Sequence, residues 1–175
     1  NQMLHDKRIS LISFTGSTNV GRGVSEAVHK RFGSTILELG GNNAVIVCED
    51  GNLDMALKAV VFAAIGTCGQ RCTSIRRLYI HESKYEELKN RLVHAYKSLR
   101  LGDPLDAQNN CGPLHTKAAV KEYEEGLKTI ESQGGKIVYG GRRIEDKLDG
   151  NYVYPTLVEI DPTAKIVQEE LFVPI

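Results

Sequence analysis

The feature that most constrains this chain is the alternation of short apolar segments with amphipathic ones, separated by glycine-rich turns. Residues 9–14 alternate apolar and polar side chains, as a half-buried strand does. The turn-rich stretch TGSTNVGRG follows, and then a helical pattern with Val20, Val24, Val28 and Phe32 four residues apart. Strand and helix patterns continue to alternate in this way, which predicts an α/β protein with mainly parallel strand pairing.

The rest of the chain supplies the remaining elements of that pattern. A capping-box pattern at Ser83 and Glu86 starts one helix, and Thr116 starts another that Gly134 and Gly135 end. Residues 66–74 are expected to form a loop. Further strands are predicted at 35–39, 43–48, 77–81, 136–139 and 152–158, with a largely buried helix at 52–65.

Composition excludes several classes of protein. Lys+Arg and Asp+Glu both number 22 among the 175 residues, and no block of like charge stands out, so neither nucleic acid nor a membrane surface is the expected partner. The longest apolar stretch, 59–65, is too short to span a bilayer. Four cysteines without a disulfide framework indicate a reducing compartment, the cytoplasm or the mitochondrial matrix. A start without an initiating methionine and an apolar end predict a segment of a larger protein.

Cys72 is the first residue that could carry chemistry. It lies in the predicted loop, and Arg71 and Arg76 are close enough in sequence to favour its thiolate, which would attack an electrophilic carbon. The alternative is that it is a small core residue, the interpretation we prefer for Cys48. Cys68 lies four residues before Cys72, but no histidine pair completes a tetrahedral site, so no metal is predicted.

Two further features are ambiguous on their own. Glu38 interrupts the apolar strand ILEL just before Gly40 and Gly41, and it is either solvent-facing by alternation or held for use as a base. Gly16 and Ser17, in the TGST turn between a strand and a helix, would offer backbone N–H groups and a positive dipole end to a phosphate. Many such turns bind nothing.

Taken together, these pieces resemble a known family. The motifs FTGS, ELGG, GQRC and ELFVP resemble, in order and spacing, the aldehyde dehydrogenase superfamily, and the 34-residue interval from Glu38 to Cys72 fits its base-to-nucleophile separation. The wording ELGGNNAVIV, GQRCTSIRRLYIHES, GPLHTK and VYGG is most similar to the antiquitin group, the α-aminoadipic semialdehyde dehydrogenases. The resemblance covers essentially the whole chain.

The resemblance implies an aldehyde-dehydrogenase-like fold and activity. Residues 1–40 would be the C-terminal part of a Rossmann-like dinucleotide-binding domain, and 41–175 most of a parallel-sheet catalytic domain. The parent protein, a homo-oligomer with two or four subunits, would use NAD to oxidise an aldehyde to a carboxylic acid, through a cysteine thiohemiacetal and thioester. The substrate implied is α-aminoadipic semialdehyde of lysine breakdown. The isolated segment is expected to be inactive, because the oxyanion asparagine and the adenosine-binding strands would precede it.

The resemblance also implies roles for single residues. Cys72 would be the nucleophile and Glu38 the general base that activates the hydrolytic water. Gly16 and Ser17 match the turn that meets the pyrophosphate of NAD.

Four further residues match the nicotinamide and substrate contacts of the family. Glu170 would hold the nicotinamide ribose, although without the resemblance it reads as an exposed acid beside Glu169. Phe172 and Leu39 would lie on either side of the nicotinamide. Arg71 would pair with a substrate carboxylate, which disfavours the cationic betaine aldehyde as the alternative substrate. An alternative from another class is a non-catalytic piece that serves as an antigen or scaffold.

Overall fold

The structure, a computed structural model, describes residues 2–144 and 150–175. The chain forms two compact units, Asn1–Gly41 and Asn42–Ile175. The first contains α1 (Gln2–His5), β1 (Leu11–Thr15), α2 (Thr18–His29) and β2 (Ser34–Glu38). The second contains β3 (Asn43–Val47), α3 (Leu53–Ile65), β4 (Ile75–Ile80), α4 (Glu82–Lys97), α5 (Lys117–Ser132), β5 (Lys136–Tyr139) and β6 (Leu157–Glu159), with 3-10 turns at Gly66–Gly69 and Lys165–Gln168.

In the first unit, β1 and β2 pair in parallel, with Thr15 opposite Glu38 at the carboxyl ends. Helix α2 begins where Ser17 accepts a hydrogen bond from the Val20 N–H, and it buries Val24 and Val28. The predicted apolar stripe was wrong at its two ends. Val20 is 53% exposed, and Phe32 is fully exposed because the helix ends at His29 and Phe32 then takes a left-handed backbone with φ of 62°.

In the second unit, β3 and β4 pair in parallel and β5 pairs with β6 antiparallel. The predicted α/β class is confirmed, with the antiparallel β5–β6 pair as the exception to parallel pairing. Helix α3 is capped by the Asn52 side chain, and α5 by Thr116 as predicted. The helices pack around one core, in which the most deeply buried large side chains are Leu88, Leu114, Tyr123, Val153 and Val173.

The predicted start of α4 and the predicted extent of the last strand were wrong. Helix α4 begins at Glu82, before the predicted capping box, because the His81 ring nitrogen accepts the Ser83 N–H and so caps the helix. The strand predicted at 152–158 is reduced to β6, since Pro155 has no N–H for a ladder and the Thr156 N–H donates to the Pro174 carbonyl. Within the described ranges, no helix is both long and apolar enough to cross a membrane.

Candidate functional site

Cys72 lies in a tight turn between α3 and β4. The Ser74 N–H donates to the Arg71 carbonyl over 3.0 Å, and the Arg71 N–H donates to the Ser74 hydroxyl over 3.3 Å. Ser74 is fully buried, whereas Cys72 is exposed. The turn therefore exposes the Cys72 side chain to solvent, while hydrogen bonds to the buried Ser74 hold its backbone in place.

Asn43, the first residue of β3, holds this turn from the neighbouring strand. Its side-chain amide donates to the Cys72 carbonyl over 2.6 Å and to the Ser74 carbonyl over 2.9 Å. Sequence reasoning missed this residue. The available signal was a polar amide at the start of an otherwise apolar strand.

The chain reaches the turn through a run of left-handed residues. Thr67, Cys68 and Gly69 have φ values of 56°, 53° and 69°. At Gly69 a Cβ would come within 2.8 Å of the backbone of Val173 and Pro174, so only glycine fits both the backbone conformation and the contact. The approach to Cys72 is thus packed directly against the C-terminal segment of the chain.

Cys68 does not face Cys72. Its thiol is buried, and the neighbouring buried thiol of Cys111, together with burial, raises the pKa of Cys68. Cys48, expected in the core, is exposed because β3 ends at the buried Val47 and the next side chain points outward. Among the cysteines, Cys48 and Cys72 are therefore the two that solvent reaches.

The Arg71 side chain folds back onto the end of α3. One guanidinium N–H donates to the Phe62 carbonyl over 3.3 Å, and the guanidinium stacks 5.2 Å from the centre of the Phe62 ring. The Arg71 Nε atom is buried and makes no hydrogen bond with any described residue. The group thus keeps an unused donor beside the Cys72 turn.

Glu170 and Phe172 lie in the irregular segment after the 3-10 turn Lys165–Gln168. The Phe172 N–H donates to the Glu122 carboxylate over 2.7 Å. The Glu170 Oε1 atom is buried and accepts no hydrogen bond from the described part of the chain, although the Arg76 guanidinium lies 3.7 Å away. The same guanidinium donates to the Arg71 carbonyl over 3.4 Å. Arg76 thus connects the Cys72 turn with the Glu170–Phe172 segment.

The other four predicted site residues come together in the first unit. The Gly16 N–H donates to the Glu38 carbonyl over 3.0 Å, and Ser17 caps α2. Leu39 packs against Gly21, where a Cβ would meet its side chain. Gly16, Ser17, Glu38 and Leu39 therefore cluster at the carboxyl ends of β1 and β2 and the start of α2, with the Glu38 side chain exposed.

The known proteins to which this chain is similar are aldehyde dehydrogenases. The family described as the aldehyde dehydrogenase family matches residues 1–175. The chain is 52% identical over 170 residues to aldehyde dehydrogenase family 7 member A1 of Malus domestica, covering 97% of this chain and 33% of that protein. It is 48% identical over 174 residues to the α-aminoadipic semialdehyde dehydrogenase of Rattus norvegicus, covering 99% of this chain and 32% of that protein.

Solved structures agree with these relatives. A crystal structure of betaine aldehyde dehydrogenase from Staphylococcus aureus in complex with NAD⁺ superposes with a TM-score of 0.95 at 28% identity, over 98% of this chain and 35% of that chain. The predicted aldehyde-dehydrogenase-like fold is confirmed. The chain spans about a third of the length of the curated relatives it matches. Its sequence and its fold both place it in the aldehyde dehydrogenase family.

Proposed function

We propose that a full-length protein containing this chain oxidises an aldehyde to a carboxylic acid with NAD, using Cys72 as nucleophile and Glu38 as general base. The observation that carries the proposal is the exposed Cys72 thiol on a turn anchored by Ser74 and Asn43. Family membership supports the same reaction class. The boundary between a dinucleotide-binding part, 1–40, and a catalytic part, 41–175, belongs to this proposal, as does assembly into a homo-oligomer.

The residue types suit this reaction. The Cys72 thiolate would add to the carbonyl carbon, and the Cys72 backbone N–H would stabilise the oxygen that becomes negative. NAD supplies the oxidising power, because it accepts the hydride that leaves the substrate carbon. The thioester left on Cys72 is cleaved by water, from which the Glu38 carboxylate takes a proton. The balance is aldehyde, NAD⁺ and water giving carboxylic acid, NADH and a proton.

The residues proposed to hold NAD fit its chemistry within each unit. The buried Glu170 Oε1 atom lacks a hydrogen-bond donor among the described residues, and ribose hydroxyls are donors of the kind it needs. Gly16 begins the turn into α2, where a Cβ would strike the Phe14 ring, and helix N–H groups there suit a pyrophosphate. Leu39 and Phe172 are the apolar side chains proposed to lie beside the nicotinamide.

We further propose α-aminoadipic semialdehyde, from lysine breakdown, as the substrate. Arg71 directly precedes Cys72, and its planar, charged guanidinium suits a carboxylate on the substrate. The α-aminoadipic semialdehyde dehydrogenase of Rattus norvegicus, whose printed name gives this substrate, is 48% identical to the chain over 174 residues. A fixed positive charge at this position opposes a trimethylammonium substrate such as betaine aldehyde.

The nucleophile is tested by Cys72→Ala in the full-length protein. We expect no steady-state NADH formation and nearly unchanged NAD affinity, because the thiol does the chemistry and does not hold the nucleotide. Cys48→Ala is the matched control, since it removes the other exposed thiol and should keep wild-type turnover. Wild-type oxidation by Cys72→Ala would remove this residue from the mechanism.

The substrate is tested by Arg71→Ala. Loss of a charge-assisted pair is worth roughly 1.5–3 kcal/mol, so the KM for an acid-bearing semialdehyde should rise about ten- to hundredfold. Hexanal, which has no carboxylate, serves as the control substrate and should be affected much less. Equal losses on both aldehydes would count against a carboxylate-binding role.

A further inference from the structure

Arg76 is the most highly connected side chain around the Cys72 turn. It is the second residue of β4, and its side chain is only 5% exposed. One terminal nitrogen donates to the Gly69 carbonyl over 3.0 Å and to the Arg71 carbonyl over 3.4 Å. The other donates to the Val173 carbonyl over 3.3 Å. A single guanidinium thus connects both ends of the segment Gly69–Arg71, which leads into Cys72, with Val173, 97 residues further along the chain than Arg76.

The same guanidinium also faces the Glu170–Phe172 segment. Glu170 forms an ion pair with it at 3.7 Å, and the Phe172 ring centre lies 5.4 Å from its central carbon. Burial lowers the pKa of Arg76, while the charges of Glu170 and Glu122 act in the opposite direction. Arginine remains protonated at any physiological pH, so the group is a permanent cation held between two elements of the site.

We infer that Arg76 is a positioning residue that sets the Cys72 turn against the Glu170–Phe172 segment. The inference rests on the proposed function. Arg76 acts through the carbonyls of Gly69 and Arg71 and through the Glu170 carboxylate, and it takes no part in bond making. The planar fork is needed because it reaches two segments and several acceptors at once, which a lysine ammonium on a flexible stem cannot do.

The neighbouring Arg77 provides a matched control. Its guanidinium is also partly buried, but both of its hydrogen bonds go to the single carbonyl of Asn42. Arg77→Lys therefore removes an arginine fork of the same size from the same strand without touching the Cys72 turn. A role limited to stability would make Arg76→Lys and Arg77→Lys behave alike.

The test compares both variants in the full-length protein. Three quantities are measured: the Kd for NAD by calorimetry, the single-turnover rate of NADH formation at saturating substrates, and the rate of Cys72 alkylation by iodoacetamide. Arg76→Lys should weaken NAD binding and slow single turnover, each by about ten- to hundredfold, the scale expected when reacting groups are misplaced by about 1 Å. The alkylation rate should stay within about twofold of wild type, because iodoacetamide reaches the exposed Cys72 thiol without help from the Glu170–Phe172 segment.

Different results would contradict the positioning role and the proposed function. If Arg76→Lys matches Arg77→Lys in NAD affinity and single turnover, the positioning role is refuted. If the wild-type protein oxidises no aldehyde, the proposed function fails instead. If Arg76→Lys does not fold, hydrogen exchange of the wild-type protein is measured instead, with and without NAD. NAD should slow exchange of the Ser74 amide, which is too deeply buried to touch the nucleotide, and an unchanged Ser74 rate would overturn the inference.

Discussion

Asn43→Ala should loosen the turn that carries Cys72. The substitution removes two neutral hydrogen bonds, to the carbonyls of Cys72 and Ser74. Each such bond contributes about 0.5–1.5 kcal/mol net, and the carbonyl of the exposed Cys72 regains water when its partner is lost, so the turn should lose about 1–2 kcal/mol. Because 1.4 kcal/mol corresponds to a factor of ten, local opening should become about five- to thirtyfold more frequent.

The Ser74 amide reports this opening directly. It is fully buried and closes the turn by donating to the Arg71 carbonyl. Its exchange with deuterium, followed by mass spectrometry on the full-length protein, should accelerate by the same five- to thirtyfold factor, on the order expected for a local opening reaction.

Asn42→Ala is the matched control for this experiment. That amide also donates to two carbonyls, at 2.6 Å to Val167 and 3.2 Å to Glu169, and neither belongs to the turn. It should lower overall stability to a similar degree and leave the Ser74 amide protected. If Asn43→Ala leaves Ser74 exchange at the wild-type rate, or if both variants accelerate it equally, the assigned anchoring role of Asn43 is wrong.

Two other substitutions test the packing of the second unit. Tyr123→Phe removes the hydroxyl of a fully buried side chain, which donates to the Tyr154 carbonyl over 2.7 Å. The free energy of unfolding in urea should therefore fall by about 1–3 kcal/mol. An unchanged unfolding midpoint would contradict this. Glu159→Gln should lower stability at neutral pH, because hydrogen bonds from Tyr85 and Lys89 hold the pKa of Glu159 below its usual value. A carboxyl group whose pKa is lower in the folded protein stabilises the fold at pH values above its unfolded pKa of about 4.3. The difference in free energy of unfolding between Glu159→Gln and wild type should therefore disappear in acid. A difference that does not depend on pH would refute this.

Local sequence patterns predicted the elements whose signals are themselves local. Helix α5 is the clearest case: Thr116 caps it, Tyr123 and Leu127 lie on its buried face, and Gly134 ends it with φ of 84°. The start of β4 was predicted two residues late, because pairing with β3 extends the strand back to Ile75. Propensity alone cannot indicate where a partner strand lies.

The contacts that shape the site could not be predicted in this way. Asn43 reaches Cys72 across 29 residues of sequence, and Arg76 reaches Val173 across 97. Both are contacts between side chains and backbone carbonyls, which carry no sequence signal of their own because every residue has a carbonyl. The sequence motifs suggested Cys72 and Glu38 as reacting residues through their resemblance to a family, whereas the groups that hold the Cys72 turn became visible only in three dimensions.

The most direct test of the account is to find the covalent intermediate on Cys72. Glu38→Gln in the full-length protein removes the proposed base, so the first turnover should proceed and the thioester should accumulate. The variant is mixed with aldehyde and NAD, quenched in acid, digested and mapped by mass spectrometry. We predict a burst of NADH and an acyl group on Cys72 alone. An acyl group on another cysteine, or an unmodified Cys72 in a variant that turns over at the wild-type rate, would contradict the account.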